Sequence, residues 1–99
     1  MNKPVRFTRA AQADLEDIYD YTLANWGRAQ ADSYLGLIED HINRLSQNKA
    51  LLRQFKDWRE DGLRTLVGRH WVFLVESSDS YVVVRVLHNK RDVLRHLAD

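Results

Sequence analysis

Cysteine is absent from the 99 residues. That excludes a disulfide framework, a thiolate metal site and a thiol nucleophile. No apolar run approaches membrane-spanning length, and the opening Met1-Asn2-Lys3-Pro4 has no signal-peptide core. A cytoplasmic location with no membrane partner is therefore expected. An excess of one charge is missing too: 15 basic against 14 acidic side chains leave +1, too little to argue nucleic-acid binding from charge alone. The balance is uneven along the chain. Residues 1–50 hold 6 basic and 7 acidic groups (−1), and residues 51–99 hold 9 and 7 (+2), so the positive potential lies in the C-terminal half. His41, His70, His88 and His96 fall on four different predicted elements without ligand-pair spacing, so neither a metal nor another cofactor is expected.

The length suits a single domain, residues 1–99, that buries roughly 65% of its unfolded-state surface. Val5 and Phe7 after Pro4 make a short first strand. Thr8 then has the hydroxyl of an N-cap, and Ala11, Leu15, Ile18, Tyr19 and Thr22 recur at helical spacing until Asn25-Trp26-Gly27 stops the helix. A second helix over about 28–47 carries the stripe Ala31, Tyr34, Leu35, Ile38, His41, Ile42 and Leu45. Two long helices on so short a turn form an antiparallel hairpin. Its outer face is acidic and its helices are too nearly antiparallel for helix-turn-helix DNA binding.

Residues 48–62 read as an irregular connection with one helical turn. Strands follow at Leu63–Val67, Trp71–Glu76 and Tyr81–His88, separated by Gly68-Arg69-His70 and Ser77-Ser78-Asp79-Ser80, with a short helix over 92–98. The expected fold is α+β, a helical hairpin packed on an antiparallel β-sheet in the order β-α-α-β-β-β with a short C-terminal helix. Strict alternation in the last strand sets Val82, Val84 and Val86 against Tyr81, Val83, Arg85 and Leu87, and Trp71, Phe73 and Val75 oppose Val72, Leu74 and Glu76. Both sheet faces are then apolar. One hairpin covers only one of them, so a partner chain is expected on the other.

Arg85 sits inside the most apolar strand, which runs directly into His88-Asn89-Lys90-Arg91-Asp92. An arginine in such a run needs a partner or a groove. One reading is structural: Arg85 pairs with Glu76 or Asp92, Asp92 caps the last helix, His88 is a hydrogen-bonded histidine at a strand end, and Trp26 and Tyr34 set the hairpin angle. The other is functional, with Arg64, Arg85, His88 and Arg91 meeting an anionic or acidic target.

The chain resembles ParE-like toxins of the ParE/RelE toxin–antitoxin superfamily. The resemblance rests on Phe7-Thr8-Arg9-Ala10-Ala11-Gln12-Ala13-Asp14-Leu15-Glu16-Asp17-Ile18-Tyr19 and Trp26-Gly27. Ala31 with Tyr34, Gly62-Leu63-Arg64, and Arg85-Val86-Leu87-His88 with Arg91-Asp92 complete it. It implies a toxin held inactive by a cognate ParD-like antitoxin, with operator DNA bound only through that antitoxin. ParE-like members act on DNA gyrase by binding, without a catalytic residue. RelE-like members cut messenger RNA on the ribosome, and as a ribonuclease this chain would use His88 as acid or base with Arg64, Arg85 and Arg91 on the phosphate. RelE-like nucleases carry a lysine-rich groove and a late tyrosine or histidine. Here no lysine lies between Asp57 and Asn89 and no tyrosine follows Tyr81, which favours the gyrase reading.

Overall fold

Thr8 links the first strand to the first helix. Its backbone is extended while its Oγ1 accepts from Ala11 N at 3.1 Å, satisfying an amide that the first helical turn leaves open. The same hydroxyl donates to Val84 O at 2.8 Å, so one side chain both starts the helix and ties it to the last strand.

The computed structural model describes residues 3–98, so the reading of Met1 and Asn2 lies outside it. Strand β1 (Val5–Phe7) leads into α1 (Arg9–Trp26) and α2 (Arg28–Leu45). The helices are joined by Gly27 alone. At φ 89° and ψ 171° it occupies a region open essentially to glycine; its N–H bonds back to Leu23 O, and its carbonyl accepts from Ala31 N, both at 3.0 Å. The hairpin expected from sequence follows from that one residue. Next come a 3₁₀ turn (Lys49–Leu51), β2 (Arg53–Gln54), β3 (Leu63–Val67), β4 (His70–Glu76), β5 (Tyr81–His88) and α3 (Val93–Leu97).

The five strands lie in the order β1-β5-β4-β3-β2. All neighbours are antiparallel except β1 and β5, which run parallel, so the sheet is mixed and its first and last strands are adjacent. Strand β2 is an addition to the expected order. Arg53 and Gln54 are polar and exposed, and they pair with Arg64 and Leu63 without any alternation a sequence could reveal.

The hairpin packs on one face. Ile38, Ile42 and Leu45 of α2 and Ala11 of α1 meet Val67, Val72, Leu74, Tyr81, Val83 and Val86 in the main core. Each fully buried isoleucine or leucine there contributes about 1.5–3 kcal/mol of transfer free energy.

The second face corrects the expectation of a covering partner. Phe55, Phe73 and Leu87 are buried there, with Trp58, Trp71, Val93 and Leu97 packed around them. The cover comes from within the chain: residues 55–62 fold back through Phe55 N to Gly62 O at 2.8 Å, and α3 adds Val93 and Leu97. Large apolar side chains that stay exposed lie mostly on the hairpin, at Tyr21, Leu23, Trp26 and Leu37.

The strict alternation expected for β5 also fails. Before the middle of the strand Leu74 faces Val83, and beyond it Phe73 faces Arg85, so Val84 is an extra, unpaired residue, a β-bulge. Tyr81, Val83 and Val86 consequently enter the main core while Leu87 joins the second cluster.

Candidate functional site: the paired histidines at the end of the sheet

The bulge decides what faces what at the far end of the β4–β5 hairpin. Glu76 pairs with Tyr81, and a strict register from there would set His70 opposite Leu87. The extra residue shifts this by one, and His70 faces His88 with ring centroids 5.2 Å apart, edge to face. Helix α1 holds the shift. Beyond Val83 the outer edge of β5 is no longer paired by β1, and α1 supplies its partners: Thr8 Oγ1 bonds Val84 O, and Asp14 accepts from Val86 N at 2.9 Å.

Asp14 is also the partner of Arg85, in place of the expected Glu76 or Asp92. The guanidinium donates through Nε at 2.7 Å and Nη2 at 2.9 Å, a two-pronged ion pair between largely buried groups. Glu76 is engaged elsewhere, by Lys3 at 2.7 Å and Lys49 at 3.4 Å, and these two lysines hold its carboxyl below the usual range. Asp92 occupies the N-cap position of α3 without a side-chain capping bond.

Two turns meet beside the histidine pair. Gly68 makes the β3–β4 turn at φ 58°, and a Cβ there would lie 2.8 Å from the Tyr34 ring, so glycine serves both the left-handed backbone and the approach of α2. Arg69 follows. Its carbonyl accepts from Asn89 N at 2.8 Å, and Arg91 N bonds His88 O at 3.0 Å, which docks the turn after β5 onto the turn before β4. Arg69, Lys90 and Arg91 project from these docked turns, all exposed, and among the described residues none of them takes part in an ion pair.

Hydrogen bonds fix both rings. Lys90 N donates to His88 Nδ1 at 3.1 Å, so that nitrogen is the acceptor and Nε2 carries the proton. Tyr34 Oη accepts from Arg69 N at 3.1 Å and is hydrogen-bonded to His70 Nδ1 at 2.6 Å. The His70 pKa is pushed down from 6.5 to about 4, first by burial, then by the neighbouring His88 and Arg91 charges. His70 is therefore a neutral N–H donor at pH 7.

Of the four residues singled out from sequence, the structure brings His88 and Arg91 together. Arg85 is engaged with α1. Arg64 sits on β3, two strands from His88, its guanidinium 4.2 Å from the ring centroids of both Phe55 and Trp71, with a buried Nε that has no hydrogen-bond partner. His70, Tyr34 and Arg69 were not singled out. The tight Gly68-Arg69 turn was a usable signal for His70, since it must face the end of β5. Among the described residues no group of three or more histidine, aspartate or glutamate side chains is placed to hold a metal ion.

The arrangement offers fixed N–H donors and concentrated positive charge, on a fold that matches known proteins. The family model described as the ParE toxin of type II toxin-antitoxin system, parDE, matches residues 5–93. The chain belongs to the ParE toxin family. A ParE1 toxin of Mycobacterium tuberculosis is 37% identical over 89 residues, covering 89% of this chain and 91% of that protein. A ParE toxin of Escherichia coli is 35% identical over 96 residues, covering 93% and 90%. Among solved structures, a chain of a chromosomal ParDE system from P. aeruginosa superposes with a TM-score of 0.76 at 17% identity, over 87% of this chain and 95% of that one. This chain thus shares its fold with that P. aeruginosa chain, and no helix among the described residues is long and apolar enough to cross a membrane.

Proposed function

We propose that this ParE-family chain is a toxin that inhibits DNA gyrase by binding, in the cytoplasm, and is neutralised by a cognate ParD-like antitoxin encoded with it. The observation that carries the reading is the family match over residues 5–93, reinforced by relatives named ParE at 30% identity or more. Poisoning by binding requires shape and charge but no proton transfer. The paired histidines fit that: one nitrogen of each ring is already engaged, His70 Nδ1 by Tyr34 and His88 Nδ1 by Lys90 N. His88 and Arg91 are the target-binding residues of the strand end, Arg64 belongs to the adjoining aromatic cluster, and Arg85 acts on the target by keeping β5 in register. A solved relative from a chromosomal ParDE system supports an antitoxin partner. A specific complex buries about 1,600 Å², and contact with operator DNA would run through the antitoxin.

The alternative within the superfamily is a RelE-type mRNA interferase. Expression of the chain alone, with and without its neighbouring antitoxin gene, separates the two. The gyrase reading expects filamentation, a DNA-damage response and loss of supercoiling by purified gyrase. Translation arrest with cut transcripts, abolished by His88→Gln, would replace it with the ribonuclease reading, because a catalytic acid or base is worth ~10²–10⁴-fold in rate.

A further inference from the structure

The +1 net charge argues against a nucleic-acid-binding chain as a whole, yet it conceals a local concentration. Arg69, Lys90 and Arg91 come from two turns bonded to each other through Asn89 N and Arg69 O. Uncompensated cations repel one another, and an ordinary surface disperses them or interleaves carboxylates. Here Arg53, Lys56 and Arg59 stand in contrast: they lie near Asp57, Glu60 and Asp61 in sequence, and two of them form ion pairs, Lys56 with Glu60 and Arg59 with Asp61. At the strand end the nearest acid in sequence is Asp92, and it makes no ion pair with the three cations.

The geometry points to a phosphodiester-binding site made by Arg69, Lys90 and Arg91 with the Nε2–H of His88, through which the toxin grips the backbone of the DNA that its target holds. The inference rests on the gyrase reading for the identity of that DNA and deepens it by naming the chemistry recognised. Three features favour a phosphate chain over a carboxylate surface. The cations are long and exposed, so they can follow successive phosphates. Two of the three are arginines, whose planar fork matches phosphate oxygens. His88, two residues before Lys90, accepts from Lys90 N at Nδ1, which leaves its Nε2–H as a donor next to the cations. Contacts of this kind position a protein on DNA without reading sequence.

The test uses the full chain released from its antitoxin. A short fluorescein-labelled duplex DNA, and the same sequence as duplex RNA, are titrated by anisotropy across a salt series, and gyrase supercoiling is assayed in parallel. Neutralising one phosphate contributes about −0.9 to the slope of log K against log salt. Arg69→Ala and Arg91→Ala should each weaken DNA binding several-fold, flatten that slope by about 1 and weaken gyrase inhibition in step, while Arg91→Lys keeps most of both. Circular dichroism of these surface variants reports retained fold. Absence of salt-dependent DNA binding overturns the site, and if gyrase inhibition is nevertheless lost in the variants the cations meet protein carboxylates instead. Unchanged DNA binding in both alanine variants overturns it as well. Binding of RNA alone overturns the assignment to DNA. DNA binding that the variants lose, with a wild type that leaves gyrase untouched, upholds the phosphodiester site and refutes the gyrase reading.

Discussion

Replacing Asp14 tests how the functional end of the sheet is held in register. Its carboxylate takes three hydrogen bonds, two from Arg85 and one from Val86 N, with side-chain exposures of 24% for Arg85 and 12% for Asp14. Removing one partner of a buried ion pair costs about 3–5 kcal/mol, and partial exposure moves this pair toward about 2–3 kcal/mol. Asp14→Ala also orphans the Val86 N–H, which adds about 1 kcal/mol or more. The expected loss is about 3–4 kcal/mol for Asp14→Ala. It is smaller for Asp14→Asn, which still accepts from Val86 but leaves Arg85 without its counter-charge. For a domain with about 5–15 kcal/mol of stability that is a large fraction, visible as a lower urea midpoint and a Tm reduced by ten degrees or more. Hydrogen exchange supplies the local readout: the Val86 amide should lose protection before the amides of β3. A loss below about 1 kcal/mol, with Val86 still protected, would refute the idea that Asp14 holds the bulge. If Arg85→Ala then abolished toxicity at unchanged stability, Arg85 would be a target contact rather than a register contact.

Three further outcomes are expected. The unfolded chain takes up the His70 proton near pH 6.5 and the folded chain only near pH 4, so this contribution is complete above the upper value and lost as pH falls through the window. After allowance for solvent screening it amounts to about 1–2 kcal/mol; urea midpoints of wild type and His70→Gln should converge on acidification, and a wild type that gains stability on acidification relative to the variant contradicts this. Gly68→Ala meets both a left-handed backbone and the Tyr34 ring at 2.8 Å, whereas Gly27→Ala meets backbone strain alone with open space around it. Each should cost about 1–3 kcal/mol, but only Gly68→Ala should disturb the Tyr34–His70 hydrogen bond, read as a shift of the His70 imidazole NMR signals. Thr8→Val keeps shape but removes the cap to Ala11 and the bond to Val84; a loss of about 1–2 kcal/mol by denaturant titration is expected, and no loss would show that water replaces both bonds.

Local chemistry made most of the elements legible. Thr8 as a cap, Gly27 as a stop and the α2 stripe from Ala31 to Leu45 are short-range signals, each tied to a backbone or periodicity requirement that acts within a few residues. The strands of the meander were readable from apolar runs between turn residues, and the order of the family's residues along the chain pointed to ParE. Strand β2 was not readable, because two exposed polar residues become a strand only through the pairing that β3 offers them. The cover of the second face was hidden for a related reason: Phe55 and Trp58 look like an irregular loop until Gly62 lets that loop fold back onto Phe73.

The sequence by itself determined the helices, the meander and the family. Tertiary structure decided the site. Periodicity assigns faces by counting, and a count of two fails wherever one strand gains a residue. That gain, at Val84, is stabilised by Thr8 and Asp14 from a helix more than seventy residues earlier in the chain. No local rule for β5 can contain it. Because of it His70 meets His88 rather than Leu87, and Arg85 turns from a candidate contact into an anchor for the strand that carries the contacts.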